Sequence, residues 1–372
     1  MTATETSISL PADLLPKDGR FGSGPSKVRP EAVHALSSLA QDYLGTSHRQ
    51  ATVKDQVARL RTGLMNLFDL PDGWEIVLGN GGTTLFWDAA SFGLIEYASQ
   101  HLAFGEFSSK FAKVVQAAPH LAEPQIISSE PGTHPFPVEA DVDSYALTHN
   151  ETSTGVSATL SRPSGEGLVL VDATSAAGAM VWESSEVDCY YFAPQKALAS
   201  DGGLWLAACS PRAIERIERL SYEDRWVPPS LDLGNALSSS RQNQTYNTPG
   251  LATVLLAAEM VEWINESGGL RWAEARCRES SDAIYRWAQN NSFAEPFVTD
   301  ASQRSPVVCT IDIEGVDADT ISGVLRANGI LDTESYRKLG RNQLRIATFP
   351  AIDPEDVHAL CSCVDYIVEA LS

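Results

Sequence analysis

The feature that most constrains this chain is a series of short apolar runs set between turn-forming and helical stretches. Ile76-Val77-Leu78, Tyr145-Ala146-Leu147, Leu168-Val169-Leu170-Val171, Tyr190-Tyr191-Phe192 and Leu204-Trp205-Leu206 are each too short to be a helix and apolar on successive residues. A strand covered on both faces reads this way, because both sets of alternating side chains meet a packed layer. Val53, Val57, Leu60, Leu64 and Leu67 recur at spacings of four and three, with Phe68 beside them, which predicts an amphipathic helix ended by Pro71-Asp72-Gly73. A second helical run goes from Leu85 towards Tyr97. Such alternation predicts an α/β fold with a mostly parallel central sheet flanked by helices. From about residue 250 the pattern changes to two long helical stretches, a strand at Val307 to Ile313, a helix near 318–328 and a strand at Gln343 to Ala347. That predicts a smaller α+β domain. The expected division is a polar, proline-containing arm over residues 1–20, a large domain over 21–250 and a small C-terminal domain over 251–372.

Length and composition narrow the partners. A chain of 372 residues can bury two cores. No apolar run is long enough to span a bilayer, and Met1 to Leu10 has neither a basic start nor an apolar core, so a cytoplasmic location is expected. The net charge of −21 argues against nucleic acid or an anionic membrane surface as partner, though clustered arginines can still hold a small anion. Cys189, Cys209, Cys277, Cys309, Cys361 and Cys363 are scattered without zinc or redox spacing and are expected as buried free thiols. The seven histidines are equally dispersed, and no metal is expected.

Three segments carry chemistry. Gly79-Asn80-Gly81-Gly82-Thr83-Thr84 turns from a strand into a helix, and such a turn offers backbone N–H groups and a positive dipole end to a phosphate. By itself it is equally a plain strand-to-helix connection, and its spacing fits neither a P-loop nor a dinucleotide fingerprint. Asp172 ends the apolar strand Leu168 to Val171, where ligands of open α/β sheets bind, although an aspartate there also simply starts a turn. Lys196, in Ala193-Pro194-Gln195-Lys196, lies between two apolar strands with Ser200-Asp201-Gly202-Gly203 behind it. A desolvated lysine near other cations loses its proton readily and serves as a nucleophile, whereas on an exposed hairpin it would do nothing. In order, the chain offers a phosphate turn, an aromatic segment, Asn150-Glu151-Thr152, a strand-end carboxylate and, 24 residues later, a lysine. Pyridoxal phosphate needs these parts: a helix N-terminus for its phosphate, a carboxylate for its ring nitrogen, an amine for its aldehyde and an aromatic neighbour for its face.

On these residues the chain resembles the phosphoserine aminotransferase family, within the fold-type I, class V aminotransferases, from Phe21 to the C-terminal helix. The family's F-x-S-G-P turn appears as Phe21-Gly22-Ser23-Gly24-Pro25, its S-H-R as Ser47-His48-Arg49 and its N-E-T as Asn150-Glu151-Thr152. Its Q-K appears as Gln195-Lys196, its N-T-P as Asn247-Thr248-Pro249 and its arginine strand as Leu344-Arg345-Ile346-Ala347. The resemblance implies the fold-type I architecture of pyridoxal-phosphate-dependent transferases. It also implies transfer of the amino group of L-glutamate to 3-phosphohydroxypyruvate, giving O-phospho-L-serine and 2-oxoglutarate through two half-reactions by way of pyridoxamine phosphate. The pathway would be serine biosynthesis, with the phosphorylated hydroxythreonine precursor of pyridoxine as a further substrate.

The roles implied are residue by residue. Lys196 holds the cofactor as a Schiff base and shuttles a proton, and Asp172 pairs with the ring nitrogen. Phe107 stacks on the ring where many relatives have tryptophan, with Phe104 close enough to take that place instead. Gly82, Thr83, Thr152 and Gln195 bind the cofactor's phosphate or ring oxygen. Asn247 and Thr248 reach the phosphate of the neighbouring subunit, which implies a homodimer with shared active sites. Arg345 binds the α-carboxylate, Ser23 donates to it, and His48 and Arg49 act across the dimer on the substrate's distal anion. The chain departs from the family's compact G-H-R-x-x-G-G-x-R stretch, reading Tyr336-Arg337-Lys338-Leu339-Gly340-Arg341-Asn342-Gln343-Leu344-Arg345, so Arg337 and Arg341 both stand as the second phosphate ligand. Two other readings remain open: a class V aminotransferase of the alanine or serine–glyoxylate type, and a non-catalytic protein that binds pyridoxal phosphate. A cysteine desulfurase is disfavoured, because no cysteine sits on an evident glycine-rich mobile loop.

Overall fold

The apolar runs do pair into one sheet. The computed structural model describes residues 8–223 and 225–371; the first seven residues of the expected arm and Ser372 of the expected small domain lie outside the described residues. In chain order the strands are β1 (Glu75–Asn80), β2 (Ser99–Ala103), β3 (Gln125–Ser128) and β4 (Ser144–Thr148), then a small hairpin of β5 (Asn150–Glu151) and β6 (Val156–Ser157). The remaining strands of the large sheet are β7 (Leu168–Asp172), β8 (Cys189–Phe192) and β9 (Leu204–Cys209). The seven-stranded order is β1-β9-β8-β7-β4-β2-β3. Only β9 runs against its neighbours, pairing antiparallel with both β1 and β8. Every residue of β4, β7, β8 and β9 is buried, as runs apolar on both faces require.

Because the other six strands are parallel, their C-terminal ends share one edge. That edge carries the turn after Asn80, Asp172 at the end of β7 and Lys196 four residues beyond β8. Open α/β sheets bind ligands at this edge.

The helices supply the covering layers. Helix α1 (Pro30–Tyr43) and helix α2 (Ala51–Leu67) precede β1, and helix α3 (Thr83–Gly93) follows it. Helix α4 (Glu106–Ala117) follows β2, α5 (Pro211–Ser221) and α6 (Leu233–Arg241) follow β9, and α7 (Leu251–Ser267) packs on α2. The buried stripe of α2 is Val53, Val57, Leu60, Leu64 and Leu67, each contributing about 2 kcal/mol of transfer free energy. Gly63 lies in the crossing with α7: a Cβ there would stand 2.8 Å from Val261 Cγ1. The helix stops at Leu67, before the expected breaker at Pro71, because Asp69 adopts a positive φ of 46°. Likewise α3 starts at Thr83 and ends at Gly93, four residues short of Tyr97.

A second sheet, ordered β10-β11-β12, comprises β10 (Ala294–Pro296), β11 (Val308–Ile313) and β12 (Gln343–Ala347), all antiparallel. Helices α8 (Gly269–Asn290) and α9 (Ala318–Ala327) pack on it, and α10 (Pro354–Leu371) packs on α8 and α9. The N-terminal segment is docked here: Leu10 N donates to Asn328 Oδ1 at 3.0 Å and Lys17 N to Asp356 Oδ1 at 2.8 Å. Buried Lys27 stands 3.4 Å from Asp18 and 3.9 Å from both Asp353 and Asp356, fixing the segment to the start of α10.

Candidate active site

At the C-terminal edge of the large sheet lies a cavity of about 360 Å³. Thr83, Phe107, Thr152, Asp172, Gln195 and Lys196 line it, so six residues expected from the sequence to surround one ligand do meet. Gly82 adjoins it as the residue before the first turn of α3, with no side chain capping that helix. The first N–H groups of such a helix have no intrahelical partner and point outward.

Asp172 is buried at the end of β7. Its Oδ1 accepts from Thr174 N at 2.9 Å and Thr174 Oγ1 at 2.6 Å, and its Oδ2 accepts from the Trp87 indole N–H at 3.3 Å. Burial pushes its pKa up to about 6 against the opposing hydrogen bonds from Thr174.

Lys196 Nζ donates to the Ser23 carbonyl at 2.8 Å, so Ser23 reaches the site through its backbone. Loss of water around the amine, and then the positive charge of Arg345, push the Lys196 pKa down to about 8, against the attraction of Asp172 and Glu151. The Lys196 turn is pinned from the other side, because Ser26 N donates to Gln195 O at 3.0 Å and Ser26 Oγ to Lys196 O at 2.5 Å. The segment that does this is itself tied to the small sheet, Ala347 N donating to Phe21 O at 3.0 Å. Gly24 sits against the amine with φ 131°, and a Cβ at that position would be 2.6 Å from Lys196 Nζ.

Phe107, not Phe104, faces the cavity: Lys196 Nζ stands 5.7 Å from the Phe107 ring centroid, whereas Phe104 is buried with its ring 6.0 Å from His134. Glu151 fixes Phe107. Strand alternation turns Asn150 and Thr152 towards the cavity and Glu151 towards the start of α4, where its carboxylate accepts from Ser108 N at 2.9 Å and Ser108 Oγ at 2.9 Å. A carboxylate at a helix N-terminus is favoured by the dipole.

Arg345, on β12, is half-buried, its Nε has no partner, and its guanidinium carbon lies 5.3 Å from the Tyr336 ring centroid. Its pKa is lowered, chiefly by burial. Arg345 and the other expected anion ligands lie outside the cavity lining. His48 Nδ1 is 3.0 Å from Thr248 Oγ1, and Asn80 links to this group, its Oδ1 accepting from Asn247 N at 3.3 Å and its Nδ2 donating to Thr248 O at 2.9 Å. Arg49, Asn247 and Thr248 are exposed there. Arg337 is exposed on a short helical turn over Arg337–Leu339. Arg341 is ion-paired with Asp312 and lies 4.6 Å over the Phe297 ring.

Sequence reasoning missed Trp87, Thr174 and the capping role of Glu151. Trp87 follows Thr83 by one helical turn and so shares its face, and Thr174 stands two residues after Asp172, where a hydroxyl and an N–H can both return to a carboxylate. Those two spacings were the available signals.

The arrangement suits an aldehyde-bearing, phosphorylated ring. Two buried acceptors in the lining, Asn150 Oδ1 and Gln195 Oε1, have no partner among the described residues. An uncapped helix start, an amine of lowered pKa and a buried carboxylate share the same space. Pyridoxal phosphate meets each of these with a phosphate, an aldehyde and a ring nitrogen that carries a proton.

Comparison with known proteins agrees. The model of the class-V aminotransferases matches residues 137–333, so the sheet and its cavity are those of a class-V, fold-type I aminotransferase. A phosphoserine aminotransferase of Nocardioides sp. is 56% identical over 370 residues, covering 98% of this chain and 99% of the relative. The chain therefore belongs to the phosphoserine aminotransferase family. Among solved structures, the phosphoserine aminotransferase of Cytophaga hutchinsonii superposes with a TM-score of 0.82 at 23% identity, covering 94% of this chain and 99% of the other. The pyridoxal-phosphate-bound enzyme of Trichomonas vaginalis gives 0.79 at 19% identity, covering 94% and 100%. At these identities the two structures speak for the fold.

Proposed function

We propose that this chain transfers the amino group of L-glutamate to 3-phosphohydroxypyruvate, giving O-phospho-L-serine and 2-oxoglutarate, with pyridoxal phosphate as cofactor. The observation that carries the reading is Lys196 and Asp172 lining one cavity, in a chain 56% identical to a phosphoserine aminotransferase. When bound, the cofactor supplies an aldehyde and an electron-accepting ring that takes up the electron pair left when a substrate α-proton departs. Lys196 would hold the cofactor through its aldehyde, and its amine would carry the proton that leaves the substrate α-carbon. Asp172 keeps a proton on the ring nitrogen. Gly82, Thr83 and the start of α3 would hold the phosphate with Thr152 and Gln195, and Phe107 would cover the ring face.

Arg345 binds the substrate α-carboxylate. Ser23, by holding the Lys196 amine through its carbonyl, orients that amine. Of the two arginines left open by the sequence, Arg337 is the one we retain for the distal phosphate, since Arg341 already pairs with Asp312. Arg49, Asn247 and Thr248 lie exposed outside their own cavity, with buried His48 against Thr248, which supports a homodimer in which the four complete the site of the second copy. We place the reaction in the cytoplasm, and we divide the chain at residues 20 and 250 into arm, cofactor-binding domain and small domain. Among the described residues, no helix is long and apolar enough to cross a membrane.

The test is turnover by purified protein loaded with pyridoxal phosphate. L-Glutamate and 3-phosphohydroxypyruvate should react, with pyruvate and glyoxylate poor acceptors. No reaction with the phosphorylated acceptor, or equal kcat/KM for glyoxylate, would sink the reading. Arg49→Gln should reduce kcat/KM for the phosphorylated acceptor by roughly 30-fold or more, the cost of removing one partner of a desolvated charge pair, with glyoxylate hardly affected. An equal loss on both acceptors would remove Arg49 from phosphate recognition.

Gly24→Ala tests the close approach to Lys196. The added methyl occupies space now filled by the amine, and displacement by about 1 Å costs on the order of 10²-fold in rate. Stopped-flow measurement of the first half-reaction with L-glutamate should show that loss. A rate within threefold of the parent would mean that the amine works from elsewhere.

A further inference from the structure

We infer that Tyr336 is a positioning residue for Arg345, setting the affinity for the substrate carboxylate. The inference rests on the reading of Arg345 as the carboxylate ligand. Among the described residues no carboxylate lies within ion-pairing distance of Arg345, and its buried Nε has no partner. Backbone pairing fixes only the strand: Arg345 N donates to Thr333 O at 3.0 Å, and Arg345 lies opposite Thr310. What restrains the guanidinium is the Tyr336 ring, 5.3 Å from its central carbon. A cation over an aromatic face is held in place while its N–H groups stay free for an incoming anion.

Tyr336 also meets the large sheet's layer. Its ring lies 6.1 Å from Phe107, tilted by 56°, and Phe107 in turn lies 5.7 Å from Lys196 Nζ. Amine, ring, ring and guanidinium are thus linked by successive contacts from the reacting centre to the carboxylate site. A second tie fixes the same loop, since Lys338 pairs with Glu106, the residue before Phe107 on α4. Tyr336 is therefore the point at which the small sheet's arginine is registered against the cofactor-facing aromatic residue. Neither partner alone sets that distance.

Three variants decide it in the cofactor-loaded enzyme. Tyr336→Ala and Tyr336→Leu both lose the aromatic face, the second keeping apolar volume, and each should raise KM for L-glutamate about tenfold with kcat changed less than about threefold. Tyr336→Phe should restore KM to within about twofold. Glutarate, a dicarboxylate with no amine to react, provides a readout besides turnover: its dissociation constant, followed by calorimetry, should rise by the same factor in the Ala and Leu variants only. Placed in an Arg345→Gln background, Tyr336→Ala should add nothing further to either value. Unchanged KM and glutarate binding in Tyr336→Ala, equal impairment in the Phe variant, or full effect in the Arg345→Gln background would each overturn the inference. Should the parent protein fail to transfer amino groups, the functional reading falls while glutarate binding still decides on Tyr336.

Discussion

Lys196→Ala is expected to lower amino transfer from L-glutamate by roughly 10⁴-fold or more, because it removes both the covalent anchor and the proton carrier at the α-carbon. The visible band of the lysine-bound cofactor should vanish with it, while far-ultraviolet dichroism stays that of the parent. The pH dependence of the parent protein provides a second check. With its pKa at about 8, roughly a tenth of the Lys196 amine is neutral at pH 7, against roughly 0.03% at the ordinary lysine value. Only the neutral amine attacks an aldehyde. Capture of pyridoxal phosphate by the cofactor-free protein should therefore speed up about tenfold per pH unit and flatten above about pH 8. A parent-like band in Lys196→Ala, or a capture rate still climbing at pH 10, would contradict the assignment.

The second large effect is expected at Asp172. Asparagine there keeps the shape and the hydrogen bonds from Thr174 but cannot hold a positive charge on the ring nitrogen. A charge pair at contact distance in a partly shielded site is worth about 4 kcal/mol, so kcat should fall roughly 10³-fold. The visible band should persist, since Lys196 is intact, and that separates this variant from the first. The sign of the pH effect also follows. Burial holds the proton on Asp172 up to about pH 6 when the site has no charge partner, so only above that value is the carboxylate an anion. Cofactor affinity, measured by equilibrium dialysis, should weaken below about pH 6 in the parent and lose that dependence in Asp172→Asn. A rate within tenfold of the parent would exclude the ion pair.

The sequence was most legible where one residue's surroundings are decided by its own strand. Leu168 to Val171 read as a buried strand, which put Asp172 after it at the edge where ligands bind, although a turn-starting aspartate reads the same way. Lys196 and the turn at Gly82 were ambiguous taken singly and became legible only through their order along the chain. Strand β2 shows why other parts were hidden: Ser99-Gln100-His101 is polar yet buried, since Ser99 pairs with His101 at 3.0 Å and Gln100 with the Val138 backbone at 3.1 Å. Partners 38 residues away are invisible to a periodicity argument. The arginines were ambiguous for the same reason. Arg337 and Arg341 look alike in the chain, and only the fold brings Asp312 against one of them. Trp87 carried a spacing signal but no reason to prefer a donor over a core tryptophan until Asp172 stood beside it.

The docking of Lys17 onto Asp356 joins positions 339 residues apart. Closing a loop of that size costs about 5 kcal/mol of chain entropy beyond a length-independent constant. That cost is met by contacts at both ends of the segment, since Leu10 docks on Asn328 and Lys27 on the carboxylates around the start of α10. Because the Phe21 carbonyl accepts from Ala347 and Ser26 pins the Lys196 turn, the same N-terminal segment that docks on α10 also ties the Lys196 amine to the small sheet.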